Sequence, residues 1–153
     1  EVTLSKYKNV LDSFDFKEFI YDKLSVISNP VGMGVQWACT MDVGIRVCNW
    51  LVAIDLFRQI DESDLLDSKF ILLFTDYIHR HVESIMSHLE GKEGAAGNHY
   101  LFNLVGILFA TNYLSEKQES LAWRKFAEEE IKQEFLKQFP GLSRREGLKT
   151  QGK

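Results

Sequence analysis

Proline is nearly absent from this chain of 153 residues, with two in all, and only ten glycines accompany them. So few breakers leave little room for disorder or for an all-β fold rich in turns. Apolar runs are short. None approaches the roughly 18 residues needed to cross a bilayer, and the longest candidates carry Asp55, Asp42 or Arg46 inside them. The opening EVTLSKYKNV shows no basic stretch followed by an apolar one, so no secretory leader is visible in it. Cysteine is scarce too. Cys39 and Cys48 read as lying on one helix, about 13 Å apart, beyond the reach of a disulfide. No CxxC metal spacing occurs, and both are expected to be buried small hydrophobes. No phosphate-cradling glycine loop and no GxSxG elbow is present, and no metal or other cofactor is expected.

Positive charge is missing from the body of the chain. The net charge is −4, yet Ser143 to Lys153 alone carries +3, leaving −7 on the rest. A body of that sign repels nucleic acid, and no basic stripe with interleaved aromatics appears, so nucleic-acid binding is not expected. What remains is ordinary globular composition, 45% hydrophobic and 26% charged, enough for one domain with one core. That domain is expected over residues 1–141, with 142–153 a basic, disordered tail.

Helical periodicity runs through the chain and no segment alternates as a strand. A weak amphipathic segment near Leu4 to Leu11 precedes Lys17 to Ile27, where Phe19, Ile20, Leu24 and Ile27 share a face. Asn29-Pro30 with Gly32 and Gly34 then reads as a loop. A nearly all-apolar helix is expected from Trp37 to Arg58. A further one, capped by Ser68, should run to about Leu89. After the glycine-rich loop Gly91 to Gly97, Asn98 opens an apolar helix ending near Leu114. Ser115 is placed to cap a last helix, Lys117 to about Phe139, before Pro140-Gly141 stops it. The fold class is therefore all-α, with stacked antiparallel helix hairpins in a bundle or part of an α/α toroid. Two central helices that are apolar nearly all round need cover on more than one side, which favours a piece of something larger or an oligomer.

Two polar clusters interrupt this apolar background. On the first apolar helix, Asp42, Arg46 and Asn49 fall at i, i+4 and i+7 and share a face, with Trp37 and Trp50 close by. An arginine among apolar residues needs a partner, so an Asp42–Arg46 pair reads either as a structural lock or as the wall of a site. A guanidinium beside tryptophans also suits an anionic sugar. The second cluster is Gly97-Asn98-His99-Tyr100, with Asn103 one turn beyond His99. Asn98 is able to cap its helix, and His99 in the first turn is held neutral by the helix dipole, able to act as base or donor. His79, His81 and His88 read as surface or core residues without a metal-ligand pattern. Glu128-Glu129-Glu130 reads as a solvated face.

These segments resemble the N-terminal helical domain of heparinase II/III-family polysaccharide lyases. The resemblance is carried by Asn29-Pro30-Val31-Gly32-Met33-Gly34 with Trp37 through Trp50, and by Gly97-Asn98-His99-Tyr100-Leu101 with Leu104 through Ala110; it extends over roughly Phe16 to Phe139. It implies an α/α toroid followed, in a complete enzyme, by β-sandwich sheets that close over a cleft. It also implies β-elimination at a uronic acid of an acidic polysaccharide. That reaction needs a donor to neutralise the carboxylate, a base for the C5 proton and an acid for the leaving oxygen. By the resemblance, Asn98 matches the asparagine that contacts the carboxylate and His99 the histidine that assists neutralisation or acts as base. Arg46, Asn49, Trp37 and Trp50 would be cleft or supporting residues. Tyr100 is rotated about 100° from His99 and is not the expected acid. Relatives continue after the last helix toward a catalytic tyrosine, whereas here Phe139-Pro140-Gly141-Leu142 leads into SRREGLKTQGK, which has no aromatic residue. The expectation is a part of the lyase lacking the full site and inactive alone, working in the periplasm or outside the cell as such enzymes do. The alternative is a non-catalytic helical module that binds an acidic glycan or a partner chain.

Overall fold

The computed structural model describes residues 33–59, 66–91, 97–114 and 117–138. The segments expected near Leu4 to Leu11 and Lys17 to Ile27, the Ser115 cap, the Pro140-Gly141 stop and the 142–153 tail lie outside the described residues. Among those described there are four α-helices and one 3-10 turn, and no strand. The helices are α1 (Thr40–Arg58), α2 (Ser68–Ser87), α3 (Asn98–Tyr113) and α4 (Gln118–Gln138). None is long and apolar enough to cross a membrane.

The helix expected from Trp37 begins three residues later. Trp37 instead closes a 3-10 turn, Val35–Trp37, and Cys39 is extended at φ −116, ψ 114 as the N-cap of α1. Its side chain makes no capping bond. The free amide of Met41 is satisfied from across the chain, donating to Glu90 Oε2 at 2.8 Å, while Thr40 Oγ1 donates to the His88 carbonyl at 2.8 Å. A cap supplied from that distance leaves no local signature.

On α2 the cap is local and one residue earlier than expected. Asp67, not Ser68, is the N-cap, and its Oδ1 accepts from the Phe70 amide at 2.8 Å. This helix has the clearest apolar stripe, with Phe70, Phe74, Ile78, Val82 and Ile85 all buried. On α3 the N-cap is Gly97, with no side-chain capping bond, so Asn98 does not cap the helix.

Contacts give the directions. Thr40 meets His88, Arg46 meets His81 and Trp50 meets Phe74, so α1 and α2 are antiparallel. Glu90 with Asn103 and Phe74 with Tyr113 set α3 antiparallel to α2. Tyr100 with Glu130 and Asn112 with Arg124 do the same for α4 against α3. The hairpins therefore stack with α1 and α3 side by side and parallel.

Those two helices touch backbone to backbone. A Cβ on Gly106 would lie 2.6 Å from Gly44 Cα, and one on Gly44 would lie 2.5 Å from the Phe102 carbonyl oxygen. No larger residue fits either position without parting the helices. Around this crossing the core gathers Val43, Val47 and Ile54 of α1, Leu104, Ile107 and Ala110 of α3, and Ala127 of α4. α1 and α3 are indeed apolar beyond one face: Val52 and Leu56, Phe102 and Phe109 remain exposed.

Candidate functional site

The polar residues singled out from the sequence separate into two clusters. The first surrounds Arg46, half-buried in α1. Its Nη2 donates to the Gln36 carbonyl, its Nη1 lies 3.4 Å from His81 Nε2, and its guanidinium sits 5.5 Å from the Trp37 ring centroid. Asp42 is exposed and no ion pair joins it to Arg46, so the direct pair expected from the i, i+4 spacing does not form. The carbonyl of the 3-10 turn lies nearer to where the long arginine reaches. Burial lowers the Arg46 pKa and the charge of Asp42 works the other way; a guanidinium stays charged regardless.

His81 is the member of this cluster that spacing did not reveal. It is fully buried between tryptophans, 4.7 Å from the Trp37 ring and 5.1 Å from Trp50. Its Nδ1 lies 2.6 Å from the Tyr77 carbonyl, which requires the proton there and leaves Nε2 to accept from Arg46. Burial pushes its pKa down to about 4; the Tyr77 bond opposes the shift and Arg46 adds to it. His81 is neutral at physiological pH. Trp37 is buried and Trp50 half-buried, and Asn49 is exposed on the outer side of α1.

The second cluster lies where α1 and α3 begin. Asn98 and His99 are exposed in the first turn of α3. With Gly97 offering no side chain, the first amides of α3 have no side-chain cap, and both residues stand beside a helix end that favours anions. His99 Nδ1 lies 3.4 Å from Glu90 Oε2. Glu90 is fixed on two sides: its carboxylate takes the Met41 amide, and its own amide donates to Asn103 Oδ1 at 2.9 Å. Burial works against a charged Glu90. The Met41 amide, His99 and Asn103 together outweigh it, holding the carboxyl below its ordinary value. Asn103 is fully buried, and its Nδ2 has no hydrogen bond of good geometry.

Cys39 completes this corner. Its sulfur, a Glu90 oxygen and a His99 nitrogen all lie within 4.8 Å of one another. Both cysteines are free, as expected, but half-buried rather than buried. Tyr100 points inward, buried, its hydroxyl donating to Glu130 Oε2, and its pKa is raised by burial and then by that carboxylate. It is thereby kept from the surface on which Asn98 and His99 stand. His79 also has carboxylate neighbours that the sequence did not suggest, Glu83 at 3.6 Å and Glu119 at 3.2 Å, one on each ring nitrogen. That arrangement ties α2 to α4, and one nitrogen or oxygen atom from each of the three lies within 4.8 Å of the others.

No single site unites the six residues read from the sequence. Asn98 and His99 share one corner; Arg46, Trp37 and Trp50 share another; Asn49 stands apart from both, with no side-chain hydrogen bond among the described residues. Cys39, Glu90, Asn103 and His81 were not chosen as site residues. Their partners come from other helices, and only Asn103, one turn from His99, had a positional hint.

No curated protein and no solved structure matches the chain. The sequence model described as the heparinase II/III N-terminus matches residues 7–142. With most of its length so matched, the chain belongs to the heparinase II/III family and carries that family's N-terminal region.

Proposed function

We propose that this module supplies the carboxylate-binding part of a polysaccharide lyase that breaks uronic-acid-containing chains by β-elimination. The family makes it a module related to polysaccharide lyases; the finer reading is supported by the exposed Asn98 and His99 beside the uncapped N-terminus of α3. A uronate carboxylate laid there meets free amides, an amide side chain and an imidazole. Neutralising that carboxylate lowers the barrier to losing the C5 proton, because the developing anion is stabilised. His99 Nε2 has no partner among the described residues and is free to donate to the sugar or take its proton. Tyr100, locked to Glu130, takes no part.

The corner holding Arg46 serves as support. Arg46 is occupied by the Gln36 carbonyl and by the face of Trp37, which ties the 3-10 turn to α1. Trp37 is too buried to stack on a sugar. Asn49 remains available at the surface. Packing of these hairpins into an α/α toroid belongs to the same proposal.

The test is binding. The purified chain should bind heparan-type chains, alginate or another uronate polysaccharide over a neutral glucan, and Asn98→Ala and His99→Ala should each weaken it about tenfold or more, the scale of a lost charge-assisted hydrogen bond. Ultraviolet absorbance of the unsaturated product, followed alongside, should stay low, because the chemistry needs an acid that these residues do not supply. Equal affinity for charged and neutral chains, or unchanged affinity in both variants, would overturn the assignment.

A further inference from the structure

We propose that Cys39, Glu90 and His99 form a binding site for a thiophilic divalent cation of the zinc class. The three ligand atoms come from three separate segments and lie within 4.8 Å of one another. Tetrahedral zinc with bonds of about 2.0–2.3 Å places its ligand atoms roughly 3.3–3.7 Å apart. His99 Nδ1 and Glu90 Oε2 already stand at 3.4 Å, within the spacing zinc needs, and the sulfur lies within 4.8 Å of both residues' ligand atoms.

The charge balance fits. A thiolate, a carboxylate and a neutral imidazole carry −2 together and match a divalent ion. Sulfur and nitrogen donors select zinc, cobalt or a similar metal over calcium and magnesium, which take oxygen. Cys39 is the N-cap of α1, and its side chain makes no capping bond and no disulfide that would engage the sulfur. The outer contacts hold the ligands in place, since the Met41 amide bonds the Glu90 carboxylate and Asn103 bonds the Glu90 amide. His99 is 55% exposed, so the fourth position opens to solvent and to a ligand.

The inference does not depend on the lyase reading, but it bears on it. An ion on Nδ1 leaves the imidazole proton on Nε2, the outward nitrogen. His99 is then a hydrogen-bond donor to the uronate and not a base.

Cobalt gives the test, because a thiolate ligand produces a charge-transfer band in the near ultraviolet that oxygen and nitrogen ligands do not. The reduced, metal-free chain should develop this band at one equivalent of Co2+ and lose it when Zn2+ is added. Cys39→Ser should abolish the band, His99→Gln should weaken cobalt affinity at least about tenfold, and Cys48→Ser should change neither, with circular dichroism confirming that each variant is helical. Absence of the band in the parent chain, its survival in Cys39→Ser, or its loss in Cys48→Ser would overturn the site. Sugar binding enters none of these readouts, so failure here and failure of the lyase reading are told apart.

Discussion

Lowering the pH from about 7.5 to about 5 should destabilise this fold by about 2 kcal/mol through His81 alone. The imidazole is buried between two tryptophans with its free nitrogen facing a guanidinium, and its pKa falls from 6.5 to about 4. The folded state therefore refuses a proton that the unfolded state accepts. Stability from this residue is complete above about pH 6.5 and drains away as the pH falls toward about 4, because over that window the unfolded chain binds more protons. At its limit the difference is worth about 3.4 kcal/mol, from roughly 2.5 in pKa at about 1.36 kcal/mol each, and about 2 kcal/mol of it is lost by pH 5. Glu90 acts in the same direction but later. Its lowered pKa contributes stability that disappears only as the pH falls below the ordinary carboxylate range. The assay is urea unfolding at the two pH values for the parent and for His81→Gln, whose side chain offers Arg46 an acceptor that does not titrate. The variant should start less stable and lose at least about 1.5 kcal/mol less than the parent between the two. Equal losses in both proteins would refute the placement of a neutral His81 in the core.

Gly106→Ala should destabilise by about 1–2 kcal/mol, since overpacking against the Gly44 backbone outweighs the helix-propensity gain of about 1 kcal/mol; a rise in melting temperature would mean that the crossing is looser than described. Asp67→Ala should lower stability by about 1 kcal/mol through loss of the α2 cap, read by the same unfolding curves. Phe74→Ala removes a fully buried ring that meets Phe70, Trp50 and Tyr113, and should cost about 3–5 kcal/mol; a loss below about 1 kcal/mol would contradict its burial.

Where a residue's neighbours lie on its own helix, the sequence was legible. The stripe Phe70, Phe74, Ile78, Val82, Ile85 follows the 3.6-residue period and comes out buried along its whole length. The spans come out close as well: α3 runs Asn98–Tyr113 where Asn98 to about Leu114 is expected, and α4 runs Gln118–Gln138 where Lys117 to about Phe139 is expected. Where partners come from elsewhere, local reading fails. The start of α1 moves from Trp37 to Thr40 because Glu90, not Cys39, receives the Met41 amide. Arg46 shares a face with Asp42 but reaches the Gln36 carbonyl instead. His81 looks like any helical histidine until the 3-10 turn lays Trp37 against it. Of the candidate site, Asn98 and His99 were named from the resemblance and do stand together, exposed, on one turn. Cys39 and Glu90 are brought to that turn by packing, which no spacing in the chain reports.

The crossing of Gly44 and Gly106 makes a fulcrum of the bundle's centre. His99 lies seven residues to one side of Gly106, and Tyr113, under the Arg58 guanidinium, lies seven to the other, so the arms of the lever are each about 10 Å long. A tilt of about 5° between α1 and α3 carries the His99 end by about 0.9 Å and the Tyr113 end by the same distance the opposite way. Contact at the pivot is backbone on backbone and has no side-chain slack to absorb such a movement. Rocking that spreads the far ends of these helices therefore brings Cys39 and His99, which stand at the near ends, toward each other, and closing the far ends parts them.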